Sequence, residues 1–181
     1  MKRLSITALL IAGASALPST RRLAARADPE CPTDLSGTYE FPHLIIPVDA
    51  SQPDTAPGTS YFGTVSESVT SLFKFDIPAS NLERCTLFFT FPSTDSVPSN
   101  VYTFEGDGQV NFALLDDLVT EENTYNSRPG VQTDYGTQTL APGNTYTVAN
   151  FDCPGGQPIS FQMSNAGTTN LEYFQDYGEN P

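Results

Sequence analysis

Apolar and polar side chains take turns along much of the chain, the period-two spacing that sends alternate residues of a strand to opposite faces. Phe73, Phe75 and Ile77 alternate with Lys74 and Asp76. Cys85, Leu87, Phe89 and Phe91 alternate with Thr86, Phe88 and Thr90, so the cysteine falls on the apolar side. Tyr102 and Phe104 form one run and Val110, Phe112 and Leu114 another, with Glu105-Gly106-Asp107-Gly108 between them. Asp-Gly between two such runs is a strong hairpin signal, so these two are expected to be antiparallel neighbours. The pattern continues in Tyr146 and Val148, then Ile159, Phe161 and Met163, then Leu171 and Tyr173. Turn residues separate these later runs: Ala141-Pro142-Gly143-Asn144, Pro154-Gly155-Gly156 and Asn165-Ala166-Gly167.

Earlier, Tyr39 and Phe41 alternate before Pro42, and Leu44 to Val48 form a short apolar run that carries Pro47. Proline lacks the N–H a central strand must donate, so these runs read as edge or bulged strands. Only Phe112 to Asn123 has roughly helical spacing, through Phe112, Leu115, Leu118 and Val119. A strand running into one helical turn fits that segment equally well. The expectation is an all-β chain, an antiparallel β-sandwich of about eight to ten short strands with little helix. Such an arrangement removes the Phe-rich rows from water at about 25 cal/mol per Å².

The first residues follow a different rule. Met1-Lys2-Arg3, an apolar run from Leu4 to Ala14 and the small-x-small site Ala14-Ser15-Ala16 read as a secretory signal peptide over residues 1–16. A run of about eleven apolar residues is too short to cross roughly 30 Å of hydrocarbon as a membrane anchor. Residues 17–27, with Arg21-Arg22 and Arg26, read as a pro-segment trimmed after Arg22 or Arg26, or as a disordered leader that stays attached. Residues 28–181 then form a single domain of ordinary size.

Charge sharpens once that leader is set aside. Five of the eight Lys and Arg precede Ala27, leaving Lys74, Arg84 and Arg128 against all 21 Asp and Glu, a formal charge of three minus 21, or −18. A surface this negative repels phosphate backbones and anionic lipid, so neither nucleic acid nor a membrane surface is an expected partner. The polar C-terminus carries no greasy tail for a lipid anchor, and no Asn-x-Ser/Thr sequon occurs. A monomer without cofactor is expected.

Three cysteines leave one over in an oxidising compartment. Cys85 and Cys153 are the expected pair, since both lie within or at the end of predicted strands. Cys31, in a Pro-flanked stretch at the domain edge, stays free, pairs between molecules, or displaces one of the others.

Candidate chemistry is sparse. His43 is the only histidine, and no Gly-x-Ser-x-Gly elbow accompanies it, so it reads as a structural or edge residue. No set of His and Cys ligands suggests a metal site. Asp116-Asp117 and Glu121-Glu122 are the visible acid pairs for carboxylate catalysis, but doublets in a predicted loop are usually a solvated face. Asp107, Asp116 and Asp117 offer oxygen ligands for calcium in a spacing that matches no EF-hand loop. Tyr173, Phe174 and Tyr177, interleaved with Glu172, Gln175 and Asp176, form a candidate recognition strip, or else half of them line the inner face of a terminal strand.

Several segments together resemble a known family. They are Phe41-Pro42-His43-Leu44-Ile45-Ile46-Pro47-Val48, Pro53-Asp54 to Gly58-Thr59-Ser60-Tyr61, Phe75-Asp76-Ile77-Pro78, Cys85 to Phe91-Pro92, Phe151-Asp152-Cys153-Pro154 and Leu171-Glu172-Tyr173-Phe174-Gln175-Asp176-Tyr177. In consistent order over nearly all of Cys31 to Tyr177, they resemble the fungal domain named after the C-terminal region of the ubiquitin-system binding protein But-two. The resemblance implies small proteins with signal peptides, often described as cell-wall or extracellular, and it supplies no catalytic residues. Cys85 and Cys153 match the paired-looking cysteines of the family. Relatives tend to continue through another short strand after the position of Asp176-Tyr177, so the resemblance leaves the closure of one sheet edge open here. The expected function is a secreted, acidic, non-catalytic module making cell-wall glycan or extracellular protein contacts. The alternatives are a secreted effector that binds a host protein and a carboxylate-based enzyme acting on polysaccharide.

Overall fold

Among the described residues ten antiparallel strands form, most of them from the alternating runs, and no helix occurs. In chain order they are β1 (Leu44–Asp49), β2 (Phe62–Val65), β3 (Val69–Asp76), β4 (Arg84–Phe91), β5 (Tyr102–Glu105), β6 (Gln109–Leu115), β7 (Val131–Thr139), β8 (Asn144–Asp152), β9 (Pro158–Asn165) and β10 (Asn170–Phe174). The computed structural model describes residues 39–79, 82–93, 95 and 101–175. The expected signal peptide (1–16), the pro-segment (17–27), Cys31 and Tyr177 lie outside these residues.

One layer of the β-sandwich is a five-stranded sheet with the order β1-β3-β9-β6-β7; a three-stranded sheet, β2-β10-β5, and a two-stranded sheet, β4-β8, make the other. Phe89 of β4 shows how the layers meet. Its ring centre lies 5.4 Å from Tyr173 of β10 and 6.0 Å from Phe112 of β6, so one side chain touches all three sheets. Two residues on, Phe91 meets Tyr102 at 4.8 Å and Phe104 at 5.2 Å, both edge-on. Such pairs contribute about 0.5–1.5 kcal/mol each beyond the area they bury. Their outward neighbour Phe88 is 45% exposed, as the alternation requires. Buried Ser71 of β3 also links the layers, its hydroxyl accepting the Thr64 N–H and donating to the Thr64 carbonyl, both at 2.7 Å.

The five-stranded sheet is covered on its outer face as well. Leu44, Ile46, Val48, Leu72, Leu115 and Val119 form a second buried cluster there, while Ile45 and Phe73 face the inner core. Burial on both sides explains why β1 reads as an unbroken apolar run rather than an alternating one. The cover is the long connection from Asp116 to Gly130. Val119 is 1% exposed, and its N–H donates to the buried Ser160 hydroxyl at 3.0 Å. The Asn126 N–H donates to the Pro53 carbonyl at 2.9 Å.

That same burial corrects the helical reading of Phe112 to Asn123. β6 is extended through Leu115 and bonded on both sides, to β7 and to β9. Val110 and Phe112 enter the inner core while Leu115, followed past the strand by Val119, enters the outer cluster. Apolar residues going to both faces gave the segment its helix-like spacing.

The hairpin expected at Asp107-Gly108 does not form. β5 pairs with β10, and β6 pairs with β7 and β9, so the two runs belong to different layers. Gly106 (φ 89°) and Gly108 (φ 76°) turn the chain through a corner between layers instead. Where a Cβ on Gly106 would sit, the Thr168 carbonyl oxygen is 2.1 Å away, so the corner closes only without a side chain. The Asp107 carboxylate clasps it, accepting from the Gln109 N–H and Thr168 N–H at 3.1 Å each and from the Thr169 hydroxyl at 3.0 Å.

Two strands carried no alternation to read. β2 is only four residues long, and β7, at the sheet edge, is polar and largely exposed. A bulge opposite Phe112 and Ala113 at Gly136 (φ 85°) disrupts β7 further, the kind of irregularity that discourages edge-to-edge pairing. β1, the proline-bearing run, is the other edge strand of this sheet.

Candidate recognition surface

β10 runs through the middle of the three-stranded sheet and sends alternate residues to opposite faces. Leu171 and Tyr173 point inward. The Tyr173 ring lies across β2 at Gly63, where an added Cβ would stand 2.4 Å from it, and burial pushes the Tyr173 hydroxyl well above its ordinary pKa. That side chain is therefore core. Phe174 points outward and is 39% exposed.

On that outer face Phe174 stands opposite Phe62 of β2, the two ring centres 5.5 Å apart and inclined at 66°. Tyr61, next to Phe62, is 66% exposed. The Gln175 N–H donates to the Tyr61 carbonyl at 2.9 Å, carrying the pairing one step past the strands. Beyond the rings the face turns polar. The register sets Thr64, Glu172 and Thr103 in one row across the three strands and Asn170 beside Glu105 in the next. The surface is a short aromatic strip grading into two rows with two carboxylates. Of the three aromatics proposed from sequence, only Phe174 is placed on it. Phe62 escaped notice because nothing in its own segment shows that it lies against Phe174, some 110 residues away.

The other candidate residues are placed as follows. His43 Nδ1 lies 3.0 Å from Asp76 Oδ2, and its Nε2 lies 3.0 Å from Glu40 Oε1. With a carboxylate on each nitrogen, neither is directed at a hydroxyl or thiol as a catalytic base must be. The residue ties the stretch before β1 to the end of β3. Asp107 is engaged by the corner it clasps; the Gln109 N–H foremost, with Thr168 and Thr169, holds its carboxyl below the usual carboxylate value against the opposing effect of burial. Asp107 precedes β6 and Asp116 follows it, and a strand of that length spans about 20 Å, too far for both to ligate one calcium ion at about 2.4 Å. Among the described residues no group of three His, Cys, Asp or Glu is placed to hold a metal. Asp116, Asp117, Glu121 and Glu122 are all exposed, and Asp117 accepts the N–H of Leu118 at 2.7 Å in its own turn.

A disulfide joins Cys85 to Cys153 at one end of the two-stranded sheet, with Cα atoms 4.8 Å apart. An open depression of about 420 Å³ lies where the covering connection meets β7, bordered by Tyr125, Asn126, Arg128 and Gln162. The Arg128 guanidinium sits 3.8 Å over the Tyr125 ring and donates to the Tyr125 carbonyl, so that ring face and that cation occupy one another. The aromatic strip on β2 and β10 is the better placed surface for a partner.

The sequence profile of the ubiquitin 3 binding protein But2 C-terminal domain matches residues 40–179. No curated protein matches the chain.

Proposed function

The chain belongs to the But2 C-terminal domain family, and from that premise we propose that it is a non-catalytic, exported binding module that lodges in or on the cell wall through protein or glycan contacts. The family takes its name from a ubiquitin 3 binding protein, and binding is the part of that name carried over here. The ubiquitin partner is not carried over, because the leader over residues 1–16 reads as an export signal. The observation behind the reading is the Phe62 and Phe174 pair, its rings packed together and left partly in water at the end of a face whose next two rows are polar. Large rings stay exposed together at a cost in apolar hydration, and a polar-rimmed patch of that kind is the usual mark of an interaction surface.

The test has two arms. In the first, purified protein is mixed with insoluble chitin and β-glucan and with wall preparations still carrying their proteins; retention supports the reading, and full recovery in the supernatant from every matrix overturns it. The second measures reducing-sugar release from a polysaccharide panel between about pH 4 and about pH 7, where a carboxylate pair would work. Sustained product formation would replace the module with an enzyme.

A further inference from the structure

We infer that the outer face of β2, β10 and β5 docks a cationic, apolar-studded surface of another protein, an inference that rests on the binding reading above and names its partner class. The geometry of that face supplies two recognition elements a fixed distance apart. Phe62 and Phe174 offer an apolar seat. Glu172, two residues back along β10, stands on the same face at the centre of the next row, about 7 Å away. A partner must bring an apolar side chain and a cation with matching separation, as residues i and i+2 of an extended segment do.

Charge selects among possible occupants. Lys74, Arg84 and Arg128 lie on β3, on β4 and in the covering connection, so none stands on this sheet, while Glu172 and Glu105 both do. Phosphorylated, sulfated or uronic partners therefore meet only repulsion there, and a cation meets an opposite charge. A neutral glycan is less well served. Phe62 and Phe174 are inclined at 66° to each other, so they do not present two coplanar faces on which successive sugar rings can stack, and a neutral chain would cover Glu172 without compensating its charge.

The experiment uses two peptides of identical composition and charge. In repeats of Leu-Ser-Lys-Ser, leucine and lysine share one face of an extended chain; in repeats of Leu-Lys-Ser-Ser they face opposite ways. The full chain is expected to bind the first at least about tenfold more tightly, with affinity falling as salt rises from about 50 to about 300 mM. Phe62→Ser with Phe174→Ser should abolish the preference, Glu172→Gln should weaken binding and flatten its salt dependence, and Phe88→Ser on the other sheet should change neither. All these positions are exposed, and an unchanged melting temperature confirms folding. Equal binding of the two peptides, or a preference untouched by the paired Phe variant, overturns the inference. Retention on β-glucan that the paired Phe variant loses, without peptide discrimination, makes glycan the occupant and leaves the binding reading standing. A folded chain that binds neither peptide nor any matrix overturns both.

Discussion

Replacing Cys85 and Cys153 together by serine probes how the smallest sheet is held. The two-stranded sheet β4-β8 has no third strand among the described residues, and two strands alone are marginal in water. Its inward side chains, Phe89 and Phe91, pin one end to the core, and the disulfide fastens the other. The neighbouring Arg84–Asp152 pair is well exposed and contributes little. The bridged residues are 68 apart in sequence, and for a closed loop of that length the chain-entropy relation gives about 4 kcal/mol, at the top of the usual range of about 2–4 kcal/mol. For a folded part of about 140 residues the unfolding entropy near the midpoint is about 0.3 kcal/mol/K, so the melting temperature should fall by about 7–14 °C. Calorimetry reads that shift, and amide exchange should show β4 and β8 losing protection before β3, β6 and β9. A melting temperature within about 2 °C of the parent would refute the argument. So would a non-reduced peptide map in which Cys31 is crosslinked to Cys85 or Cys153.

Three further expectations concern other parts of the fold. The folded Asp107 carboxyl titrates below its unfolded value, so its contribution is present above about pH 4 and lost as pH falls through the folded value; Asp107→Asn should show a shallower loss of urea midpoint on acidification than the parent, and parallel curves would count against the clasp. Gly63→Ala drives a Cβ into the Tyr173 ring and should cost about 1–3 kcal/mol in urea unfolding, less so in a Tyr173→Leu background; strictly additive losses would show that the two positions do not meet. Val119→Ala removes two methyl groups that the covering connection buries in the outer cluster and should cost about 2 kcal/mol, with faster proteolysis between residues 116 and 130; no change in either would mean the connection does not seal the outer cluster.

Local pattern alone was enough for the strands whose two faces differ. Phe89 and Phe91 against Phe88, Pro47 on an edge strand and the all-β class itself could be read directly, because the pleat turns period-two chemistry into two faces wherever one face is wet. The same logic found β6 but left its C-terminal end ambiguous, because the outer cluster hides the second face, and it missed β7, where neither face is deeply buried. Sheet order and register depended on partners far along the chain. Asp107-Gly108 carries the local signature of a hairpin, yet Thr168 and Thr169 arrive to complete a corner, and the two flanking strands go to separate layers. Likewise, Tyr173 and Phe174 are adjacent in sequence, but only the pairing of β10 with β2 buries one against Gly63 and sets the other beside Phe62 at the surface. Alternation is a property of one backbone segment, whereas a recognition surface is made by hydrogen-bonded ladders between segments about a hundred residues apart, and only the folded chain selects which ladders form.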